Sequence, residues 1–401
     1  MTNEVKNVPE LRFPGFEGEW GSSELGNIAE NYIGGGTPST KVKEYWNGNI
    51  PWIQSSDLKI DDVKHMEFHK YINSLAIENS SAKLIPKNSI AIVTRVGVGK
   101  LALIREEFST SQDFLSLSNL SLDTNYALYA LYKLIRKEST KLQGTSIKGL
   151  TKNDLLSKHI KIPSYINEQE QIGDFFSKLD RQIELEEQKL EKLEEQKKGY
   201  MQKIFSQELR FKDENDNYYP EWRKEIIGNI ATTFSGGTPS STNSNFYNGS
   251  IPFIRSGEIY KNSTELMINE RAISNSSAKI VKVGDLLYAL YGATSGEVAI
   301  SKINGAINQA VLCIRSQESV DYLFNYLKMK KDQILKTYIQ GGQGNLSASI
   351  IKKIDIDLPS IEEQKKIGSF LNKLDELINK HNQKIDGLKK RKKGFLQKMF
   401  V

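Results

Sequence analysis

The 401-residue sequence contains one cysteine, four histidines and no Pro-Pro dipeptide. Cys313 cannot form an intramolecular disulfide alone, and this absence of disulfides is typical of a reducing cytoplasm. No segment approaches the run of about eighteen apolar residues that a transmembrane helix needs. The beginning, MTNEVKNVPELRFPGF, lacks the apolar core of a signal peptide. We therefore expect a cytoplasmic protein without membrane association.

The scarcity of metal ligands and catalytic motifs argues against several enzyme classes. His65 and His69 lie four residues apart, but the glutamate between them is misplaced for HExxH, and zinc ligands are few. The segment from Arg95 to Lys100 does not match GxxxxGK[ST], because Leu101 follows the lysine. Without Pro-Pro, the motif Asp/Asn-Pro-Pro-Tyr/Phe of DNA amino-methyltransferases is absent. We expect no metal, no bound cofactor and no catalytic centre in this chain.

Composition indicates an ordinary globular protein of more than one domain. Hydrophobic residues make up 38% and charged residues 26% of the chain, and the length exceeds that of a typical single core. The formal net charge of +6 permits a polyanionic partner without requiring one.

Two halves of the chain repeat the same short sequences in the same order. The repeats include GGTPS (35–39 and 236–240), NGxIPxI (47–53 and 248–254), NSSAK (79–83 and 275–279) and the endings KKGYMQKIF (197–205) and KKGFLQKMF (392–400). Helical periodicity cannot produce identical loop sequences twice, so we infer a duplication with a period of about 200 residues. Each half contains a globular part followed by a long helix.

The globular parts combine strand-like and helix-like segments. SIAIVTRV (89–96) and DLLYALY (285–291) are typical of buried strands, whereas 127–137 and 321–336 have helical periodicity. The predicted class is α+β, with two mixed α/β domains and a pseudo-two-fold internal repeat. The predicted divisions are a first domain at 1–165, a helix at 166–205, a second domain at 206–358 and a helix at 359–401.

The two helical segments follow Pro163 and Pro359 and have a strict heptad pattern. The apolar seam positions are Ile172, Phe176, Leu179, Ile183, Leu190 and Leu193 in the first helix, and Ile367, Leu371, Leu374, Ile378, Ile385 and Leu388 in the second. Both seams are interrupted at equivalent layers, by Glu186 and His381 and then by Lys197 and Lys392. Such polar layers either set the register of the pairing or open to solvent. The pattern alone leaves both interpretations open.

Opposite charges favour pairing of the two helices with each other. Residues 168–205 carry seven basic and ten acidic side chains, whereas 362–400 carry eleven basic and five acidic ones. Connectivity within one chain favours an antiparallel coiled coil. At ~1.5 Å per residue, a helix of about 38 residues spans roughly 57 Å, enough to space two domains along DNA.

The ordered combination of LRFPGF, the duplicated GGTPS and NGxIPxI, and a proline before each helix ending in KKGYMQKIF or KKGFLQKMF resembles the specificity subunit of type I restriction–modification enzymes. The resemblance covers essentially the whole chain. It implies target recognition domains on an intramolecular antiparallel coiled coil, and a bipartite, asymmetric double-stranded DNA target. It also implies two adenine-N6 methyltransferase subunits and translocase–endonuclease restriction subunits as partners. S-adenosylmethionine, ATP and Mg²⁺ would bind to those partners.

Positions where the repeat keeps its frame but changes its residues are the candidates for base contacts. Gln54 aligns with Arg255, and in the major groove Gln suits adenine whereas Arg suits guanine. The full candidate set is Gln54, Ser55, Ser56, Asp57, Arg95, Lys100, Thr145, Ser146 and Lys148 in the first half, and Arg255, Ser256, Glu258, Tyr291, Thr294, Gln343 and Asn345 in the second. For each of them a solvated loop or turn is the competing interpretation.

Three alternatives remain at this point. The chain could serve a system in which nuclease and methyltransferase are fused, be an enzyme with a degenerate site, or be a coiled-coil dimer that acts as a repressor or scaffold. The basic run from Lys389 to Lys393 could contact phosphates, although contact with the first helix or an acidic partner is slightly favoured.

Overall fold

The computed structural model describes residues 7–64, 66–142, 149–338 and 345–401. The chain forms two compact units: unit 1 comprises 1–187 and 383–401, and unit 2 comprises 188–382. Each unit therefore contains one globular part together with part of both long helices.

Unit 1 is built from short strands and three short or medium helices. Its strands are β1 (Gly21–Glu24), β2 (Ala29–Gly34), β3 (Ile50–Ile53), β4 (Tyr71–Ile72), β5 (Ser89–Val93), β6 (Leu101–Ile104), β7 (Ser109–Thr110), β8 (Phe114–Leu120) and β9 (His159–Ile162). Its helices are α1 (Ser74–Asn79), α2 (Thr124–Leu142) and α3 (Lys152–Leu156), with 3-10 turns at Leu25–Asn27, Lys43–Trp46 and Ser55–Asp57. The first long helix, α4 (Ile166–Phe205), begins in this unit and ends in unit 2.

Unit 2 repeats this element order. Its strands are β10 (Arg223–Ile226), β11 (Ala231–Ser235), β12 (Ile251–Ile254), β13 (Met267–Ile268), β14 (Lys279–Val281), β15 (Leu286–Ala289), β16 (Val298–Ile300), β17 (Gly305–Ile307), β18 (Val311–Ser316) and β19 (Asp355–Leu358). Its helices are α5 (Ile227–Ile230), α6 (Glu270–Ser274), α7 (Val320–Tyr338) and α8 (Ala348–Lys352), with 3-10 turns at Ser244–Tyr247 and Ser256–Glu258. The second long helix is α9 (Ile361–Lys398).

The sheets have the same topology in both units, apart from one additional edge strand, β14, in unit 2. An antiparallel four-stranded sheet has the order β2-β8-β5-β6 in unit 1 and β11-β18-β15-β16 in unit 2. A second, mixed sheet has the order β4-β3-β7 in unit 1 and β13-β12-β17-β14 in unit 2, with β3–β7 and β12–β17 parallel. The pairs β1–β9 and β10–β19 connect the start of each unit to the strand before its long helix. The predicted α+β class is thus confirmed.

The inner strands β5 and β15 are almost entirely apolar because both faces of each strand are covered. In β5, Ile90 and Ile92 face the core that contains α2, and Ala91 and Val93 face a second apolar cluster with the mixed sheet. In β15, alternate residues likewise enter two different cores. The continuous apolar runs seen in the sequence therefore belong to strands packed on both sides.

In unit 1, the first part of α4 packs antiparallel against the last part of α9. Leu179 and Ile183 form a buried apolar cluster with Leu388. Glu186 Oε1 accepts a hydrogen bond from Lys384 Nζ at 2.8 Å, and Asp180 pairs with Lys392. Residues later in α4 contact residues earlier in α9, which defines the antiparallel direction.

The same pairing recurs in unit 2 between the other portions of the helices. Lys197 pairs with Asp375, and the Tyr200 and Phe370 rings meet edge-to-face with centroids 5.2 Å apart. Lys197 and Asp375 are the repeat equivalents of Lys392 and Asp180. The predicted antiparallel coiled coil within one chain is confirmed in each unit.

Most seam positions are buried, and the others are half-buried. Ile172, Phe176, Leu179, Ile183, Ile367, Leu371, Ile385 and Leu388 are buried, whereas Leu190, Leu193, Leu374 and Ile378 are half-buried. The interrupting Glu186, Lys197 and Lys392 are also buried and each has an opposite charge as partner. His381 is half-buried and makes an interaction of its own. These polar layers are closed and paired, which favours the register interpretation over solvent opening.

An arginine–glutamate pair with a fully buried carboxylate joins the segment before each domain to the first turn of a long helix. Both oxygens of Glu168 accept from Arg12, at 2.7 and 2.8 Å, and Trp20 Nε1 donates to the same carboxylate. In unit 2, Glu363 accepts from Arg210 and Trp222 in the same way, each at 2.9 Å. Bidentate geometry and the helix N-terminus both stabilise the carboxylate. This contact explains why Leu-Arg-Phe recurs ahead of both domains.

We expect Asp180→Asn to destabilise unit 1 by about 3 kcal/mol, because it leaves the buried Lys392 ammonium without its counter-charge. Asparagine can still accept the hydrogen bond that Tyr129 donates to Asp180 at 2.6 Å, so the lost charge is the main change. The measurement is urea unfolding followed by circular dichroism.

The exposed Glu170→Gln on the same helix serves as control and should change little. Adding Lys392→Met to Asp180→Asn should restore part of the stability, since the unpaired charge is then gone. If the loss of stability in the double variant equalled the sum of the losses from Asp180→Asn and Lys392→Met alone, the two residues would not be energetically coupled.

Candidate nucleic-acid interface

Three loops that carry candidate residues converge in unit 1. Lys100 Nζ, after β5, donates to the carbonyl of Ser55 in the 3-10 turn after β3, at 2.8 Å. Leu150 N donates to the carbonyl of Thr94 at 2.7 Å, which brings the chain before α3 to the same place. A Cβ on Gly149 would lie 3.3 Å from Arg95 Cα, so the close approach of these two loops requires glycine.

The equivalent loops converge in unit 2. Leu346 N donates to the carbonyl of Leu290 at 3.0 Å, as Leu150 does to Thr94. Gly292, in the loop after β15, lies beside Ser256 of the 3-10 turn: a Cβ there would be 4.0 Å from Ser256 Oγ. The two units thus present the same loop cluster with different side chains.

The GGTPS loop joins each cluster through a threonine–glutamine hydrogen bond. Thr37 Oγ1 donates to Gln112 Oε1 at 2.6 Å, and Thr238 Oγ1 donates to Gln309 Oε1 at 2.5 Å. Gln309 also bonds to Tyr291, whose pKa is raised by burial. The candidates chosen from the sequence do not include these two glutamines. The signal that could have found them is a glutamine at matching places in both halves.

The acidic members of the two 3-10 turns hold the turns together. Asp57 accepts from Gln54 N at 3.0 Å, and Glu258 accepts from Arg255 N at 3.3 Å and from Arg255 Nε at 2.9 Å. Burial raises the pKa of Glu258, but hydrogen bonds from Arg255 and from the Glu265 N–H outweigh it, so its net pKa lies below the usual range. Glu258 is only 3% exposed. These carboxylates therefore orient the loop, while the neighbouring Gln54 and Arg255 stay partly exposed.

Gln54 and Arg255 keep hydrogen-bonding groups available for a ligand. Gln54 uses Oε1 to accept from Lys70 at 3.2 Å, and its amide nitrogen has no partner among the described residues. Arg255 is held by Glu258 through Nε and by Glu265 through Nη2. That carboxylate clamp fixes the guanidinium plane and leaves both N–H groups of Nη1 and one of Nη2 for a ligand.

The remaining candidates differ in exposure. Ser56, Arg95 and Asn345 are exposed, whereas Ser55, Asp57, Lys100, Ser256, Tyr291 and Thr294 are half-buried. Thr145, Ser146, Lys148 and Gln343 lie outside the described residues, as does His65. The base-contact assignments stay predictions.

Within the described part of the chain there is no group of three or more His, Cys, Asp and Glu side chains arranged to hold a metal ion. Among the helices described, none is long and apolar enough to cross a membrane.

Paired long helices that carry two copies of an α+β domain, each with a cluster of polar loops, define a duplicated recognition protein. The family model described as the type I restriction modification DNA specificity domain matches residues 17–195 and 219–390. The chain belongs to this family and is a specificity subunit of a type I restriction–modification system.

Individual relatives match either nearly the full length of the chain or less than half of it. The MjaIX specificity subunit of Methanocaldococcus jannaschii is 26% identical over 95% of this chain and 92% of its own. The EcoR124I/EcoR124II specificity subunit of Escherichia coli is 36% identical, over 42% of this chain and 43% of its own. The S subunit crystal structure from M. genitalium shares the fold with a TM-score of 0.63 at 18% identity, covering 98% of this chain and 99% of that one.

We expect Arg255→Gln to change recognition at one base pair in one half of the DNA target. Loss of a bidentate Arg–guanine contact costs about 1–3 kcal/mol of discrimination, and glutamine favours adenine instead. Binding to a library randomised at each target position measures the change. The matched control is Arg271→Gln, an exposed arginine of the same unit on α6. An unaltered base preference in Arg255→Gln would remove Arg255 from the set of base contacts.

Proposed function

We propose that this chain directs its type I complex to a bipartite, asymmetric double-stranded DNA target, with one half-site read by each domain. The observation that carries the proposal is the loop cluster, which is built twice on the same frame but with different outward side chains. Gln54 stands where Arg255 stands in the repeat, and Arg95 lies in the loop that corresponds to the one carrying Tyr291. Two such clusters suit two different short sequences better than one palindrome.

We propose that an unread spacer of constant length separates the two half-sites. Each long helix is continuous, at 40 and 38 residues, and contributes to both units. A rigid connection would leave a spacer of constant length unread between the two half-sites.

The proposed partners are two adenine-N6 methyltransferase subunits and, through the complex, restriction subunits with translocase and endonuclease activity. S-adenosylmethionine, ATP and Mg²⁺ are proposed to bind to those partners and not to this chain. The work of this chain is then to bind DNA, select the site and recruit the enzymes, in the cytoplasm. The family of specificity subunits, to which the chain belongs, supports this division of labour.

A domain exchange tests whether each domain recognises its own half of the target. Residues 206–358 are replaced by the equivalent region of a relative with a different target, and methylated adenines are mapped in cells. We expect one half of the methylated sequence to change while the other half and the spacer stay the same. The reciprocal exchange of 1–165 is the matched control and should change the opposite half. If either exchange altered both halves of the methylated sequence, the two domains would not recognise separate half-sites.

A second measurement tests the proposed division of labour. The purified chain, incubated with DNA, Mg²⁺ and S-adenosylmethionine, is expected to transfer no methyl groups, because it lacks the Pro-Pro-containing motif. Adding its methyltransferase subunits should produce sequence-specific adenine methylation. Methyl transfer by the chain alone would contradict the proposal.

A further inference from the structure

Unit 1 contains a cleft of about 740 Å³ between α2, the segment 59–62 and the paired parts of α4 and α9. Eight basic and five acidic residues line this basic cleft. None of its lining residues is among those proposed to contact bases.

All five acidic residues of the basic cleft are already engaged, including Glu184, which pairs with Arg181, and Asp62, which accepts from Lys64 N. Asp180 pairs with Lys392, and Glu187 pairs with Lys389. Asp61 accepts from Tyr132 OH at 2.7 Å and lies 3.7 Å from Arg136 Nε. The excess positive charge of the cleft therefore resides in other side chains.

Four exposed lysines of the basic cleft, Lys59, Lys137, Lys390 and Lys393, have no side-chain partner among the described residues. Lys133 also lines the cleft and donates from Nζ to the carbonyl of Phe400 at 2.7 Å, and its pKa is lowered by burial and then by the charge of Lys137. Like charges brought together in this way favour binding of a polyanion, which would relieve their repulsion.

The basic cleft is continuous with the loop cluster of unit 1. Ser139 of α2 donates to the carbonyl of Val98 at 3.0 Å. Arg136, which lines the cleft, comes within 3.7 Å of a Cβ placed on Gly99. Both contacts are with the loop that carries Arg95 and Lys100. The row of basic residues on α2 thus leads from the candidate base contacts to the basic end of α9.

We infer that the basic cleft binds the phosphate backbone of DNA next to the half-site read by unit 1. DNA is favoured over an acidic peptide because the cleft begins at the loops that would contact bases. The inference rests on the proposed function, and it adds a set of phosphate contacts outside the read bases. Such contacts position a protein on the duplex without reading sequence.

In the described part of unit 2, five of the positions equivalent to the basic residues of this cleft are not basic, while Lys197 and Lys198 stand where Lys392 and Lys393 stand. Tyr126 and Tyr322 hydrogen bond to equivalent carbonyls and align α2 with α7. In that alignment Met329, Asp332 and Gln333 replace Lys133, Arg136 and Lys137, and in α4 Glu194 and Glu195 replace Lys389 and Lys390. The additional phosphate contacts are therefore confined to one side of the bipartite target.

The test compares the wild-type chain with K137Q/K390Q/K393Q, each assembled with the methyltransferase subunits. Neutralising three phosphate-binding lysines should make the plot of log K against log salt concentration shallower by about 2.7, since each phosphate contact contributes about 0.9. Affinity should fall equally for target and unrelated DNA, because phosphates carry no sequence information. Ethylation interference should show the lost contacts beside one half-site only.

The control K87Q/K178Q/K302Q removes three exposed lysines that do not line the cleft and should keep the wild-type slope. An unchanged slope and interference pattern in the cleft variant would overturn the inference. Unchanged DNA binding with weakened subunit assembly would also overturn it, and would assign the cleft to an acidic protein partner. If the wild-type complex failed to distinguish target from unrelated DNA, the proposed function itself would fail.

Discussion

The antiparallel pairing of α4 and α9 is the constraint on which the rest of the structure depends. Apolar seam residues supply the favourable burial, but they would tolerate other registers. The two repeat-related ion pairs, Lys392 with Asp180 and Lys197 with Asp375, restrict that choice. A shift of one heptad would leave buried charges without partners, which costs far more than the loss of a few apolar contacts. The register of the α4–α9 pair is therefore set by the burial of its charged residues together with their electrostatic pairing.

The long helices are also part of the domain cores. Phe176 of α4 and Phe400, which follows α9, belong to the same apolar core as Tyr126 and Tyr129 of α2. In unit 2, Ile204 and Ile367 occupy the corresponding core with Tyr322. The buried carboxylates Glu168 and Glu363 then join the preceding segment to each helix start. Each globular part is thereby packed directly on the helices.

Within that frame, loops with different side chains can replace one another without changing the fold. Asp57 and Glu258 hold equivalent turns although Gln54 and Arg255 differ beside them. Carboxylate-to-backbone hydrogen bonds therefore separate the residues that shape the loop from those available to a ligand. The same separation appears in the basic cleft, where Asp180 and Lys392 stabilise the helices and Lys390 and Lys393 remain exposed. Duplication followed by change at outward positions accounts for two related but different surfaces.

The sequence by itself determined the duplication, the α+β class and the pairing of the two helices, because identical loop sequences and a heptad repeat are local, periodic signals. It also identified the family through short motifs in a fixed order. Only the tertiary structure decided that the polar seam layers are closed. Lys197 is neutralised by Asp375, 178 residues away along the chain, and Lys392 by the still more distant Asp180. The tertiary structure likewise brought Ser55, Arg95 and Gly149 together, and assembled the basic cleft from three distant segments. Long-range proximity depends on packing of the whole core, which residue spacing along the chain does not encode.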